Sequence, residues 1–158
     1  MLWENLSIAI SMVVVCVTLQ ATGIYVLGNL LNSDRAKPWR EGRPHRQGAT
    51  LIFAVFGLLL LHSMEIWAYA FLYAGLGEFK DIETALYFSA TTFTTLGYGD
   101  LTLDAGRRLI AGTEGLIGLI LIGWSTAVLV ALNTRMAEVQ YPGRRKRSGE
   151  APQARNTP

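Results

Sequence analysis

Three long apolar runs determine what this chain can fold into. Residues 6–31 are 26 consecutive uncharged residues, and the runs at 49–75 and 109–133 contain one acid each, Glu65 and Glu114. About 20 apolar residues in a helix are enough to cross the hydrocarbon core of a bilayer. We therefore expect an all-α membrane protein in which each run forms one transmembrane helix.

The first run has a competing interpretation as a cleaved signal peptide. Such a peptide begins with a basic leader and has a shorter apolar core. The leader here is Met-Leu-Trp-Glu, which contains no Lys or Arg. The run therefore favours a retained transmembrane helix within residues 1–32, with Trp3 at one membrane interface.

The positive charge is concentrated in two segments. Residues 33–48 and 135–158 hold 11 of the 14 Lys and Arg residues. Basic segments can bind nucleic acid, but beside transmembrane helices they more simply mark the cytoplasmic side. We expect no nucleic acid partner, a cell-membrane location, an external N-terminus and a cytoplasmic C-terminus. The loop and the disordered tail are then expected to attract anionic lipid.

A short helix is expected between the second and third runs. Asp81 has the side chain of an N-cap for a helix at residues 82–93. A helix of about a dozen residues is too short to span the bilayer. It is expected to enter and leave on the same side, which membrane proteins tolerate where the following backbone is buried in protein or lines a cavity.

The segment directly after this helix reads Thr-Thr-Leu-Gly-Tyr-Gly-Asp. Carbonyls along an extended strand alternate in direction, so a row of carbonyls on one side needs left-handed dihedrals, which Gly97 and Gly99 adopt at no steric cost. A ring of such carbonyls can replace the hydration shell of a potassium ion. The alternative is a glycine-rich turn that closes a hairpin.

At these positions the chain resembles the potassium channel family, whose filter signature is Thr-(Val/Ile/Leu)-Gly-(Tyr/Phe)-Gly-Asp. The resemblance covers about residues 49–133, within an expected pore domain at 49–134, and the first helix is additional to it. It implies a homotetramer that binds K⁺, with no organic cofactor. The implied filter residues are Thr95, Leu96, Gly97, Tyr98, Gly99 and Asp100, of which the first four would bind K⁺ through their carbonyls, helped by the Thr95 hydroxyl.

The short helix contains the residues expected to support the filter. Many relatives carry a carboxylate four positions before the signature threonine, where this chain has Thr91. Two aromatic residues stand where the family usually packs aromatic side chains around the filter. The expected support residues are Tyr87, Phe88, Thr91, Thr92 and Thr94.

Three ionisable residues lie at membrane depth, where they normally face a partner. His62 and Glu65 are three residues apart and share one helix face. They could bind a metal, but two ligands are too few for a closed site. We hypothesise that His62, Glu65 and Glu114 form one hydrogen-bonded cluster with hydroxyls of the short helix, such as those of Thr91 or Thr92, which would make conduction depend on pH. The alternative is that each of the three residues satisfies a polar group in its own surroundings, without contact to the other two.

The third run is rich in glycine. Glycines three or four residues apart let helices approach closely, and one of them can also let a helix bend. Close packing is the commoner use. The candidate hinge positions are Gly115, Gly118 and Gly123.

Some functions have no counterpart in the sequence. No helix carries arginine at every third position, as a voltage sensor would, and no catalytic constellation or phosphate-binding loop occurs. We therefore expect a potassium-selective channel that is neither an enzyme nor gated by a voltage sensor. The alternatives are a weakly selective cation channel and a non-conducting membrane sensor or accessory subunit.

Overall fold

The structure, a computed structural model, describes residues 2–32 and 44–140. These residues form four helices and no strand, and the helices are α1 (Leu2–Asn32), α2 (Pro44–Gly75), α3 (Ile82–Phe93) and α4 (Arg108–Gln140). Three segments are long and apolar enough to cross a membrane, Leu2–Leu31, Gln47–Gly75 and Arg108–Glu138. The expected all-α fold with three spans and one short helix is confirmed.

Two helices extend into segments that were expected to be irregular. α2 begins at Pro44, inside the predicted loop at 33–48, because proline is compatible with the first turn of a helix. α4 continues to Gln140, so residues 135–140 of the predicted tail are helical. Met136 is buried there and gives this last part of α4 a packed side. The predictions for residues 33–43 and 141–158 lie outside the described residues.

The predicted start of α3 is confirmed by its cap. Asp81 has an extended backbone, and its carboxylate accepts the Thr84 N–H at 2.7 Å and the Thr84 hydroxyl at 2.8 Å. These two bonds lower the pKa of the Asp81 carboxyl, because they stabilise its charged form. At the other end, the Thr94 hydroxyl donates to the Ala90 carbonyl at 2.7 Å and caps the last turn.

α3 packs against both α2 and α4, and α1 packs against the same two helices. The buried core is aromatic where α2 meets α3, since the rings of Tyr73 and Phe88 meet edge to face with centroids 5.3 Å apart. Cys16 of α1 is fully buried in this core, where it packs as a small hydrophobic residue.

Helices α1 and α2 approach each other closely at two glycines, each of which faces a leucine side chain. A Cβ on Gly23 would lie 2.1 Å from the end of the Leu61 side chain. On the other side of the same contact, a Cβ on Gly57 would lie 3.1 Å from Leu27. Small residues of this kind let transmembrane helices approach each other closely.

Candidate functional site

The backbone between α3 and the link to α4 adopts an alternating conformation. Thr95, Gly97 and Gly99 have φ angles of 61°, 50° and 78°. The left-handed conformation expected for the two glycines is therefore present. Thr95 was not expected to adopt it, because a β-branched side chain at positive φ is a genuine outlier. Such strain costs about 1–3 kcal/mol and is concentrated at functional sites.

This segment projects from the packed helices. Every residue from Thr94 to Asp100 is exposed in the single chain. Among them are two large apolar side chains, Leu96 at 60% and Tyr98 at 69% exposure. Nothing within the described chain covers them.

Hydrogen bonds fix both ends of the segment to α3. The Thr95 and Gly97 N–H groups donate to the carbonyls of Thr92 and Thr91 at 2.9 and 3.0 Å. At the outer end, the Tyr87 hydroxyl donates to the Asp100 carboxylate at 2.9 Å. This bond raises the pKa of Tyr87, because it holds the hydroxyl proton against the negative charge of Asp100.

Glu114 of α4 connects three helices behind this segment. Its carboxylate accepts the Tyr73 hydroxyl of α2 and the Ser89 hydroxyl of α3, each at 2.5 Å. The side chain is fully buried, so these two donors compensate for its removal from water. The expected bond from a hydroxyl of α3 is present, but the donor is Ser89 and not the example residue Thr91, which donates to the Phe88 carbonyl of its own helix at 2.9 Å.

His62 and Glu65 form a separate group on α2. His62 Nδ1 lies 2.8 Å from Glu65 Oε2, and the His62 ring lies beside Phe93 with centroids 5.8 Å apart. Glu65 Oε1 is buried without a hydrogen-bond partner. In the described residues no hydrogen bond joins this pair to Glu114, so the single predicted cluster is wrong. No group of three or more potential metal ligands occurs in the part of the chain that the structure describes.

The candidate hinge glycines of α4 differ in their surroundings. A Cβ on Gly118 would lie 2.1 Å from the Phe93 carbonyl oxygen, and one on Gly115 would lie 3.4 Å from that of Thr92. A Cβ on Gly123 would meet no atom within 4 Å. Gly118 therefore has a packing role against the end of α3, directly before the exposed segment.

One group of contacts was missed by the sequence analysis. The Arg107 guanidinium donates to the Glu78 carboxylate and to the Leu76 carbonyl, both at 2.7 Å. The same carboxylate accepts the Asp104 N–H at 3.0 Å. These bonds join the segment that follows α2 to the segment that precedes α4. Glu78 and Arg107 are 29 residues apart, so no local sequence pattern could have predicted this pair.

Comparison with known proteins places these elements in a family. A family model described as "Ion channel" matches residues 48–135, which include α3, the exposed segment and most of α2 and α4. The chain belongs to this ion channel family. Helix α1 lies outside the matched residues.

A relative supports the potassium-channel resemblance. The chain is 37% identical over 86 residues to "TWiK family of potassium channels protein 18" from Caenorhabditis elegans. The match covers 54% of this chain and 18% of the relative, so the chain spans less than a fifth of that protein's length. The family match confirms the ion-channel part of the resemblance, and the relative is itself named as a potassium channel. No solved structure matches the chain.

Proposed function

We propose that this protein is a potassium-selective ion channel. The observation that carries the proposal is the alternating backbone of Thr95, Gly97 and Gly99 within Thr-Leu-Gly-Tyr-Gly-Asp. Alternating left-handed residues are what an extended chain needs to turn successive carbonyls to one side. The carbonyls of Thr95, Leu96, Gly97 and Tyr98, with the Thr95 hydroxyl, then replace the water around K⁺.

A fourfold assembly completes the site in this proposal. A potassium ion in a filter is surrounded by equivalent strands from four subunits, and this chain supplies one such strand. The exposed side chains of Leu96 and Tyr98 support the assembly, because neighbouring subunits would cover them. Chemical crosslinking and mass measurement in detergent should reach a tetramer. A species that stops at a dimer contradicts this part of the proposal.

The proposed orientation has the filter open to the outside and the last helix leading to the cytoplasm. The C-terminal end of α3, where the backbone dipole is negative, adjoins the filter and favours cations there. The N-terminus is then external and the C-terminus cytoplasmic. Anionic lipid would bind the basic segments at the cytoplasmic face. Gating by a voltage sensor is not part of the proposal.

The experiment is ion flux through the purified full chain in lipid vesicles, measured in potassium and in sodium. We expect flux in potassium to exceed flux in sodium strongly. Equal flux of both ions would favour the weakly selective channel. No flux above that of empty vesicles would favour a non-conducting sensor or accessory subunit.

A matched pair of glycine substitutions tests the filter itself. Gly99→Ala and Gly77→Ala both place a Cβ on a residue with left-handed φ and open surroundings, with φ of 78° and 73°. The backbone penalty is about 1–2 kcal/mol at either position. We expect only Gly99→Ala to reduce conduction or selectivity for potassium. Equal effects of both variants would overturn the assignment of the filter.

A further inference from the structure

Helix α1 packs against α2 and α4 along one buried stripe, although it lies outside the family match. The fully or nearly fully buried side chains of the stripe recur at helical spacing: Asn5, Ala9, Cys16, Gln20 and Leu27. Two of them are amides that bond to the α4 side of the molecule. The Asn5 amide donates to the Gly106 carbonyl just before α4 begins.

Gln20 makes the second of these bonds in the middle of α1. Its amide Nε2 donates to the Ser125 hydroxyl at 2.7 Å and to the Leu121 carbonyl at 3.3 Å. The side chain has no exposure. A primary amide is expensive to bury at membrane depth unless it is hydrogen-bonded. An apolar residue would insert at lower cost, particularly because Oε1 of Gln20 is buried without a partner among the described residues, so the bonds from Nε2 to α4 give the amide a reason to be there.

The attachment point on α4 is close to the filter. Leu121 and Ser125 lie one and two helical turns beyond Gly118. The carbonyl of Phe93 packs against Gly118. α4 is thus held at successive turns, first by the end of α3 and then by Gln20 of α1. A bend of α4 between Gly118 and Ser125, or a rotation of that part of the helix, has to break the bonds to Gln20 or carry α1 with it.

We propose that α1 braces the pore-lining helix and that Gln20 is the positioning residue that holds α4 through Leu121 and Ser125. The brace sets the fraction of time for which the pore conducts. The ion-conducting part of this inference rests on the proposed channel function, whereas the restraint on α4 does not. Gln20 touches no filter residue, so its effect on conduction is exerted through α4.

The test is a double-mutant cycle with Gln20→Met, which keeps the length of the side chain, and Ser125→Ala. Thr18→Val is the matched control, because the Thr18 hydroxyl is exposed and donates to Val14 of its own helix. Single-channel recording should show an open probability changed by about threefold or more in each single variant, the size expected for one hydrogen bond between transmembrane helices. The double variant should change it no further than the larger single variant. Ser125→Thr keeps a hydroxyl and should therefore have the open probability of the wild type, unlike Ser125→Ala. The preference for potassium should be unchanged in all variants.

Hydrogen–deuterium exchange supplies a readout that does not depend on conduction. We expect the backbone amides of residues 119–128 to exchange faster in Gln20→Met than in Thr18→Val. Unchanged exchange in Gln20→Met overturns the brace, as do additive effects in the cycle. Wild-type protein that carries no potassium current overturns the channel function instead, and the exchange experiment still decides whether Gln20 restrains α4.

Discussion

Gly118 of α4 lies against the backbone carbonyl of Phe93, the last residue of α3. A Cβ on Gly118 would be 2.1 Å from the carbonyl oxygen and 2.9 Å from the carbonyl carbon. The obstacle is backbone and cannot rotate away, so the contact requires glycine. This contact sets how closely α4 approaches the helix that leads into the proposed filter.

Gly118→Ala should therefore push α3 and α4 apart. We expect a loss of about 1–3 kcal/mol in the free energy of unfolding, as for other insertions into a packed interior. Thermal unfolding in detergent measures it. Gly112→Ala is the control, because its Cβ would meet no atom within 4 Å. Equal melting temperatures for the two variants would contradict the packing role and return Gly118 to the candidate hinges.

Glu114→Gln should loosen the contact of α2 and α3 with α4. The carboxylate accepts hydroxyls on both of its oxygens, whereas an amide offers one acceptor oxygen and an NH₂ group that Tyr73 and Ser89 must accommodate. We expect a loss of about 1–3 kcal/mol, typical of a buried polar group that loses its partner. Tyr73→Phe and Ser89→Ala each remove one donor from the buried carboxylate and should also cost about 1–3 kcal/mol, and Glu138→Gln, at an exposed carboxylate, should be neutral. A neutral Glu114→Gln would rule out the bridge.

Tyr87→Phe should weaken the hold on the outer end of the filter, because it removes the donor to Asp100 and little else. We expect potassium current to decline faster during sustained recording, with Asp100→Asn acting in the same direction. Asp104→Asn, at an exposed acid outside this bond, is the control. Stable current in Tyr87→Phe would show that the bond does not support the filter.

The same bond has a defined pH dependence. The pKa of Tyr87 is raised, so the protonated hydroxyl is favoured in the folded chain. The stabilisation is complete below the ordinary tyrosine pKa of about 10 and is lost as pH rises through the raised value. Tyrosine absorbance should be titrated in wild type and in Tyr87→Phe. We expect the variant to lack the ionisation step at high pH that Tyr87 contributes in wild type.

Asp81→Ala should shorten α3 at its first turn, because the Thr84 N–H and hydroxyl both lose their acceptor. Asp81→Asn keeps a good N-cap and should retain most of the stability. Since the pKa of Asp81 is lowered, its contribution is present above the ordinary aspartate pKa of about 3.9 and is lost as pH falls through the lowered value. The melting temperatures of wild type and Asp81→Ala should therefore converge in acid. A constant difference would exclude the carboxylate cap.

The sequence by itself determined the three spans, the limits of α3 and the positions of Gly97 and Gly99. These features depend on contiguous residues: uninterrupted apolar runs, a capping side chain beside its helix, and glycines whose conformational freedom is intrinsic. The ends of α2 and α4 were predicted less well, since a helix that is packed or capped can continue into polar sequence. The left-handed φ of Thr95 was not predicted, because threonine has no intrinsic preference for that conformation.

Only the tertiary structure decided the partners of the buried polar groups. The sequence predicted that Glu114 would meet hydroxyls of α3, with Thr91 and Thr92 as examples, but the rotation of α3 about its axis determines that Ser89 is the one that faces Glu114. Gln20 and Ser125 are 105 residues apart, and no local pattern encodes their contact. Such pairs form only when helices pack at one register and one rotation, which depend on contacts such as that between Gly118 and Phe93 along the whole interface.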